Sequence, residues 1–135
     1  MKVAFIGLGN MGASLAKAVA KEVAATDLLL VNRSPQKVQD FISQYGGTAS
    51  ELEQAFQEAE VIFLGVKPYQ ICPLLEEYKG ILAQRSNLLL VSMAAGLELE
   101  KMADVIQNDH LGLIRIMPNT PVAIGQGVIS YAMSA

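Results

Sequence analysis

The feature that most constrains the fold of this chain is a glycine pattern close to its start. An apolar run, Lys2–Ile6, leads directly into the stretch GLGNMG at residues 7–12, and a helical pattern continues to about Lys21. In this strand–turn–helix context the GxGxxG spacing predicts a turn that binds a dinucleotide. The first glycine suits a tight turn, the second lets a phosphate approach the backbone, and the third lets helix and strand pack closely. A purely structural turn is the alternative interpretation.

Apolar runs and amphipathic segments alternate along the rest of the chain. The runs, which we interpret as buried strands, are Lys2–Ile6, Leu28–Val31, Val61–Val66, Leu88–Val91, Leu111–Met117 and a final Val128–Met133. Apolar residues recur with helical spacing in Val38–Tyr45, Leu52–Ala59 and Leu99–Ile106. This alternation predicts an α/β fold, namely a Rossmann-type doubly wound and mostly parallel sheet that forms a single domain over residues 1–135.

Two serines are expected to begin helices. Ser34 precedes Pro35, which places a capping hydroxyl before a proline at the first helical position. Ser50 is predicted to cap the next helix, with Glu53 as its capping-box partner.

Composition excludes several classes of function. The net charge is −3 without a basic run, which argues against nucleic-acid binding. No apolar stretch reaches the roughly 18 residues that a membrane span requires, and the start of the chain does not have the pattern of a signal peptide. The single cysteine, Cys72, excludes an internal disulfide and fits a reducing compartment. We therefore expect a cytoplasmic protein that binds neither nucleic acid nor membrane.

The residues after the second strand indicate which dinucleotide binds. NAD-binding units usually carry Asp or Glu there, which holds the ribose 2′-hydroxyl, whereas this chain has Asn32, Arg33 and Ser34. The Arg33 guanidinium and the Ser34 hydroxyl suit a 2′-phosphate. A solvated arginine beside a helix cap would look the same. We favour NADP(H), with NAD(H) as the alternative.

Three further loops follow strands at the edge of the sheet where ligands of open α/β sheets bind. They are Val66–Pro68, Ser92–Gly96 and Met117–Pro121, although ordinary turn chemistry is the alternative for each. No catalytic set of familiar type is present, because His110 is the sole histidine and has no evident acidic partner. No metal site is expected either. This absence suits hydride transfer, in which the cofactor carries the chemistry.

Taken together, these motifs resemble the bacterial pyrroline-5-carboxylate reductases. IGLGNMG at residues 6–12, VKP at 66–68, AAG at 94–96 and MPNTP at 117–121 occur in the order and spacing of that family and cover essentially the whole chain. The resemblance implies reduction of the cyclic imine pyrroline-5-carboxylate to L-proline, the last step of proline biosynthesis, with NAD(P)H as hydride donor. It also implies that full-length members form homodimers or larger homo-oligomers.

The resemblance further implies which residues contact the ligands. The cofactor would be bound by Ile6, Gly7, Leu8, Gly9, Asn10, Met11, Asn32, Arg33, Ser34, Val66, Lys67, Pro68, Met93, Ala94 and Ala95. Asn119 and Thr120 would lie near the substrate. No proton donor to the imine is identified, so the catalytic residues are unknown.

The resemblance implies that a helical dimerisation and substrate domain follows in members of the family, and we expect that domain to be absent from this chain. We therefore expect this chain to supply the cofactor-binding half and to be inactive alone. Two alternatives stay open at this point: another oxidoreductase domain of the β-hydroxyacid-dehydrogenase kind, and a non-enzymatic module that binds NADP(H).

Overall fold

A seven-stranded sheet with strand order β3-β2-β1-β4-β5-β6-β7 forms the centre of the computed structural model, which describes residues 2–93, 99–106, 111–118 and 129–133. The strands are β1 (Val3–Ile6), β2 (Leu28–Val31), β3 (Thr48–Ala49), β4 (Val61–Leu64), β5 (Leu89–Ser92), β6 (Gly112–Pro118) and β7 (Ile129–Met133). β1 to β6 pair in parallel, and β7 is antiparallel to β6. The predicted Rossmann-type, mostly parallel sheet is confirmed.

Within the described ranges, six helices connect and cover the strands. They are α1 (Asn10–Val19), α2 (Pro35–Tyr45), α3 (Leu52–Glu58), α4 (Pro68–Glu77), α5 (Lys79–Leu82) and α6 (Leu99–Ile106). A short 3-10 turn, Ala25–Asp27, precedes β2. The four predicted helices are present within two residues of their expected ends, whereas α4, α5 and the two-residue β3 were not predicted.

Successive side chains of β1 point to opposite faces of the sheet, and both faces are buried. Val3 and Phe5 pack with α1 and α2 on one face, while Ala4 and Ile6 pack with α3 to α6 on the other. The ring of Phe5 also stacks on the ring of Phe63 in the neighbouring strand β4, with 4.5 Å between the two ring centroids. Because helices cover both faces, central strands carry apolar residues at successive positions.

Helix caps agree with the sequence at α2 but not at α3. The Ser34 hydroxyl accepts a hydrogen bond from Lys37 N at 3.4 Å, as predicted. The cap predicted at Ser50 is wrong, because Glu51 occupies the N-cap position of α3 and no side chain caps it. The Ser50 hydroxyl instead donates to the main-chain oxygen of Glu51 at 3.0 Å. Ser50 directly follows β3, and its own N–H pairs with Leu30 O, so the helix starts one residue later.

Candidate functional site

The glycine turn lies at the carboxyl end of β1 and is tightly packed against its neighbours. Gly7 has a φ of +94°, which L side chains rarely adopt. A Cβ on Gly7 would lie 2.8 Å from the carbonyl carbon of Gly65, and one on Gly12 would lie 2.5 Å from Gly7 O. The first and third glycines of the motif are therefore required by the close approach of β1, β4 and α1.

Gly9, the second glycine of the motif, has a different environment. A Cβ placed on it would meet no protein atom within 4 Å, and its φ of −70° is open to any residue. It is the N-cap of α1, which has no capping side chain and no acidic residue in its first turn. The start of α1 thus presents main-chain N–H groups and the positive end of the helix dipole to open space, an arrangement that suits an anion.

The predicted specificity residues follow β2 and lie beside this turn. Asn32 Oδ1 accepts a hydrogen bond from Leu8 N at 2.9 Å, and Asn32 Nδ2 lies 3.4 Å from Ser34 O. Arg33 is exposed and makes no hydrogen bond or ion pair with the described part of the chain. The guanidinium is therefore free to meet a ligand, whereas the Asn32 amide already has partners within the protein.

These elements enclose a cleft of about 860 Å³ along the carboxyl ends of β1, β2 and β4. Nine of the predicted cofactor residues line it: Ile6, Gly7, Leu8, Gly9, Asn32, Arg33, Ser34, Val66 and Lys67. Three cations, Arg33, Lys37 and Lys67, lie along the cleft, and Glu51 is the single acid among the described residues that line it. The cleft is thus locally cationic, although the chain has a net charge of −3.

The loop after β4 forms the wall opposite Arg33. Lys67 N donates to Gln70 Oε1 at 3.0 Å, and Gln70 N donates to Lys67 O at 2.9 Å. This reciprocal pair holds the VKP loop in place where α4 begins. Pro68 is the first residue of α4, a position that proline favours because the missing N–H would have no helical partner there.

The remaining predicted site residues divide into three groups. Met93 is 7% exposed and does not line the cleft. Its Cε lies 3.0 Å from the position of a Cβ on Gly65 and 3.8 Å from that of one on Gly12, so it packs beside the glycine turn. Ala94, Ala95, Asn119 and Thr120 lie outside the described residues, as does His110. The backbones of Asn10 and Met11 form the first turn of α1.

Several residues that line the cleft were not anticipated from the sequence. Lys37 belongs to the first turn of α2, and Tyr69 and Leu74 belong to α4. A signal for α4 was present, because Ile71, Leu74, Leu75 and Tyr78 have the i, i+3, i+4, i+7 spacing of an amphipathic helix. Tyr69 is 76% exposed, so nothing in the apolar pattern marks it.

Among the described residues, no cluster of three or more His, Cys, Asp or Glu side chains could hold a metal ion. None of their helices is both long and apolar enough to cross a membrane.

Residues 2–96 match the family described as "NADP oxidoreductase coenzyme F420-dependent". The match includes the glycine turn, the segment after β2 and the VKP loop, which together form the cleft.

Individual relatives match over nearly the whole chain. The pyrroline-5-carboxylate reductase of Escherichia coli (strain K12) is 36% identical over 137 aligned residues, which cover 99% of this chain and 50% of the relative. The structure of a Coxiella burnetii pyrroline-5-carboxylate reductase superposes with a TM-score of 0.86 at 27% identity, covering 98% of this chain and 49% of the other. A Plasmodium falciparum pyrroline carboxylate reductase, solved with NADP bound, gives a TM-score of 0.80 at 26% identity, covering 99% and 48%. This chain therefore spans about half the length of these relatives.

Proposed function

Because the chain belongs to the family of NADP oxidoreductases described as coenzyme F420-dependent, we propose that it supplies the cofactor-binding half of a pyrroline-5-carboxylate reductase. The observation that carries the proposal is the cationic cleft at the glycine turn, in a chain that aligns over 99% of its length with the E. coli reductase. The substrate would be pyrroline-5-carboxylate and the product L-proline. The relatives' additional half would complete the substrate site.

The cleft fits an NADP(H) molecule on the basis of its own residues. Open space at Gly9 and the uncapped start of α1 suit the diphosphate. Arg33 and Lys37 are both exposed and line the cleft after β2, where they would meet the 2′-phosphate with complementary charge. No carboxylate occupies the position where NAD-binding units bind the ribose 2′-hydroxyl. NADP(H) is therefore the preferred cofactor, and NAD(H) would bind more weakly.

When bound, NADPH supplies the hydride that reduces the C=N bond of the cyclic imine. The chain's own residues bind and orient the cofactor: the glycine turn binds the diphosphate, and Arg33 and Lys37 bind the adenosine end. Val66 and Lys67 form the opposite wall, and Pro68 follows them as the first residue of α4. Ala94 and Ala95 near the nicotinamide, and Asn119 and Thr120 near the substrate, belong to the proposal on the strength of the motif resemblance. So do a homo-oligomeric assembly and a cytoplasmic location, which the lone cysteine favours.

Titration calorimetry on two charge-removing variants tests the cofactor assignment. Arg33→Ala should weaken NADPH binding by about 1.5–3 kcal/mol, the range for a hydrogen bond to a charged group, and should leave NADH binding nearly unchanged. Lys21→Ala is the matched control, because this exposed lysine follows the far end of α1 and does not line the cleft. Equal losses for both cofactors on Arg33→Ala, or no loss for either, would refute the assignment.

Turnover tests the proposed reaction. The protein at its native length should oxidise NADPH when pyrroline-5-carboxylate is added, and Arg33→Ala should raise the KM for NADPH. The 135-residue chain should bind NADPH but show little turnover, because correct placement of two reactants contributes up to about 7–11 kcal/mol in well-oriented systems. Cofactor binding without turnover by the native-length protein would instead support the non-enzymatic module.

A further inference from the structure

The side chain of Asn32 extends the pairing between β1 and β2 beyond the ends of both strands. Gly7 N donates to Val31 O at 2.7 Å, which continues the parallel ladder. The next N–H, that of Leu8, donates to the Asn32 side-chain oxygen at 2.9 Å. Leu8 is 5% exposed, so water is poorly placed to replace this acceptor, and an unpaired buried N–H is unfavourable. The amide therefore holds the first residue of the phosphate-facing segment.

The other end of the same amide reaches the segment after β2. Asn32 Nδ2 lies 3.4 Å from Ser34 O, to which it donates, and the Ser34 hydroxyl caps α2 at Lys37 N. Arg33 lies between these two residues in the chain. One neutral side chain thus connects the glycine turn with the segment that carries Arg33 and Lys37, two of the three cations of the cleft.

Of the asparagine amide and the aspartate carboxylate, only the amide can make both hydrogen bonds. An aspartate at position 32 could accept the Leu8 N–H, but an ionised carboxylate has no proton to donate to Ser34 O. It would also place a negative charge beside Arg33 and Lys37, two cations of the cleft that suit a phosphate. An amide makes both connections without that repulsion.

We infer that Asn32 is a positioning residue: its amide ties the glycine turn to the Arg33 segment, and so sets the diphosphate site relative to the 2′-phosphate site without adding charge. The role differs from the direct cofactor contact that the motif resemblance implies for Asn32. The inference rests on the proposed dinucleotide function. The hydrogen-exchange experiment that tests it first does not depend on that function.

Amide hydrogen exchange of Leu8, followed by NMR in the unliganded 135-residue chain, tests the tie itself. Asn32→Ala should accelerate Leu8 exchange by about 5- to 30-fold, the factor that corresponds to the loss of one hydrogen bond. Asn32→Asp should restore slow exchange, because the acceptor is retained. Gln36→Ala is the control, since it removes another side-chain amide bond, to Asp40 at 2.8 Å, on the exposed side of α2. Leu8 exchange that is unchanged by Asn32→Ala would overturn the inference.

Binding measurements separate positioning from direct contact. Asn32→Ala should weaken NADPH, NADH and inorganic pyrophosphate by similar factors of about 5 to 30, because all three use the glycine turn. Asn32→Asp should weaken NADPH much more than NADH. Loss of NADPH affinity with unchanged pyrophosphate affinity would mean a ribose contact and would overturn the inference. If the unsubstituted chain bound none of the three probes, the proposed function itself would be wrong. The Leu8 exchange rates would still show whether the Asn32 amide holds the glycine turn.

Discussion

Substitution of Gly9 separates the effect on cofactor binding from the effect on folding. Gly9→Val adds a branched side chain where no protein atom lies within 4 Å, and the φ of −70° imposes no strain. Gly9 is the N-cap of α1, so the fold loses at most about 1 kcal/mol from a less favourable cap residue. That loss is small beside the roughly 5–15 kcal/mol by which domains are stable.

The expected effect on NADPH binding is much larger. The new side chain would occupy the space in front of the main-chain N–H groups that begin α1, where the diphosphate is proposed to bind. A hydrogen bond to a charged group contributes about 1.5–3 kcal/mol, so the loss of two would cost about 3–6 kcal/mol. This corresponds to a loss of affinity of roughly 10²- to 10⁴-fold.

Calorimetric titration with NADPH, together with thermal unfolding followed by circular dichroism, measures both effects. Gly80→Val is the matched control, because Gly80 is also exposed and a Cβ there also meets nothing within 4 Å, but it lies in α5 and does not line the cleft. A folded Gly9→Val variant with unchanged NADPH affinity would show that the glycine motif only shapes a turn.

Three further predictions concern stability. Gly12→Ala should destabilise the fold by about 1–3 kcal/mol through overpacking, because its Cβ would lie 2.5 Å from a main-chain oxygen; an unchanged melting temperature would contradict this. Arg85→Ala should lower the melting temperature more than Arg85→Lys, because the guanidinium donates to two carbonyls at the end of α3, at 2.5 and 2.6 Å, and a lysine can satisfy only part of this geometry. The hydrogen bond from Lys2, at 2.7 Å, lowers the pKa of Glu58 below its ordinary value. The contribution of this hydrogen bond to the stability of the fold is therefore present above the pKa of Glu58 in the unfolded state. It is lost as the pH falls through the lowered pKa of Glu58 in the folded state. Lys2→Met should return the Glu58 pKa towards its ordinary value in an NMR titration, and an unchanged pKa would contradict the assigned cause.

Local patterns in the sequence determined the architecture and the place of the site. Continuous apolar runs marked the central strands, because both faces of a parallel sheet are covered. The spacing of three glycines marked the turn, and Ser34-Pro35 marked the start of α2. Each of these signals acts within a few residues, so it can be read without knowledge of the fold. The edge of the sheet at which ligands bind could also be predicted, because the carboxyl ends of parallel strands lie at the same edge of the sheet.

Only the tertiary structure decided how those residues interact. The bond from Leu8 to Asn32 joins residues 24 apart in sequence, and the approach of Gly65 to Gly7 joins β4 to β1; no local pattern reports either. Packing also placed Met93 beside the glycine turn instead of along the cleft, and the pairing of β3 moved the start of α3 past Ser50. The physical reason is common to all four: sequence periodicity reports which face of an element is buried, whereas the partner on that face depends on how the elements assemble.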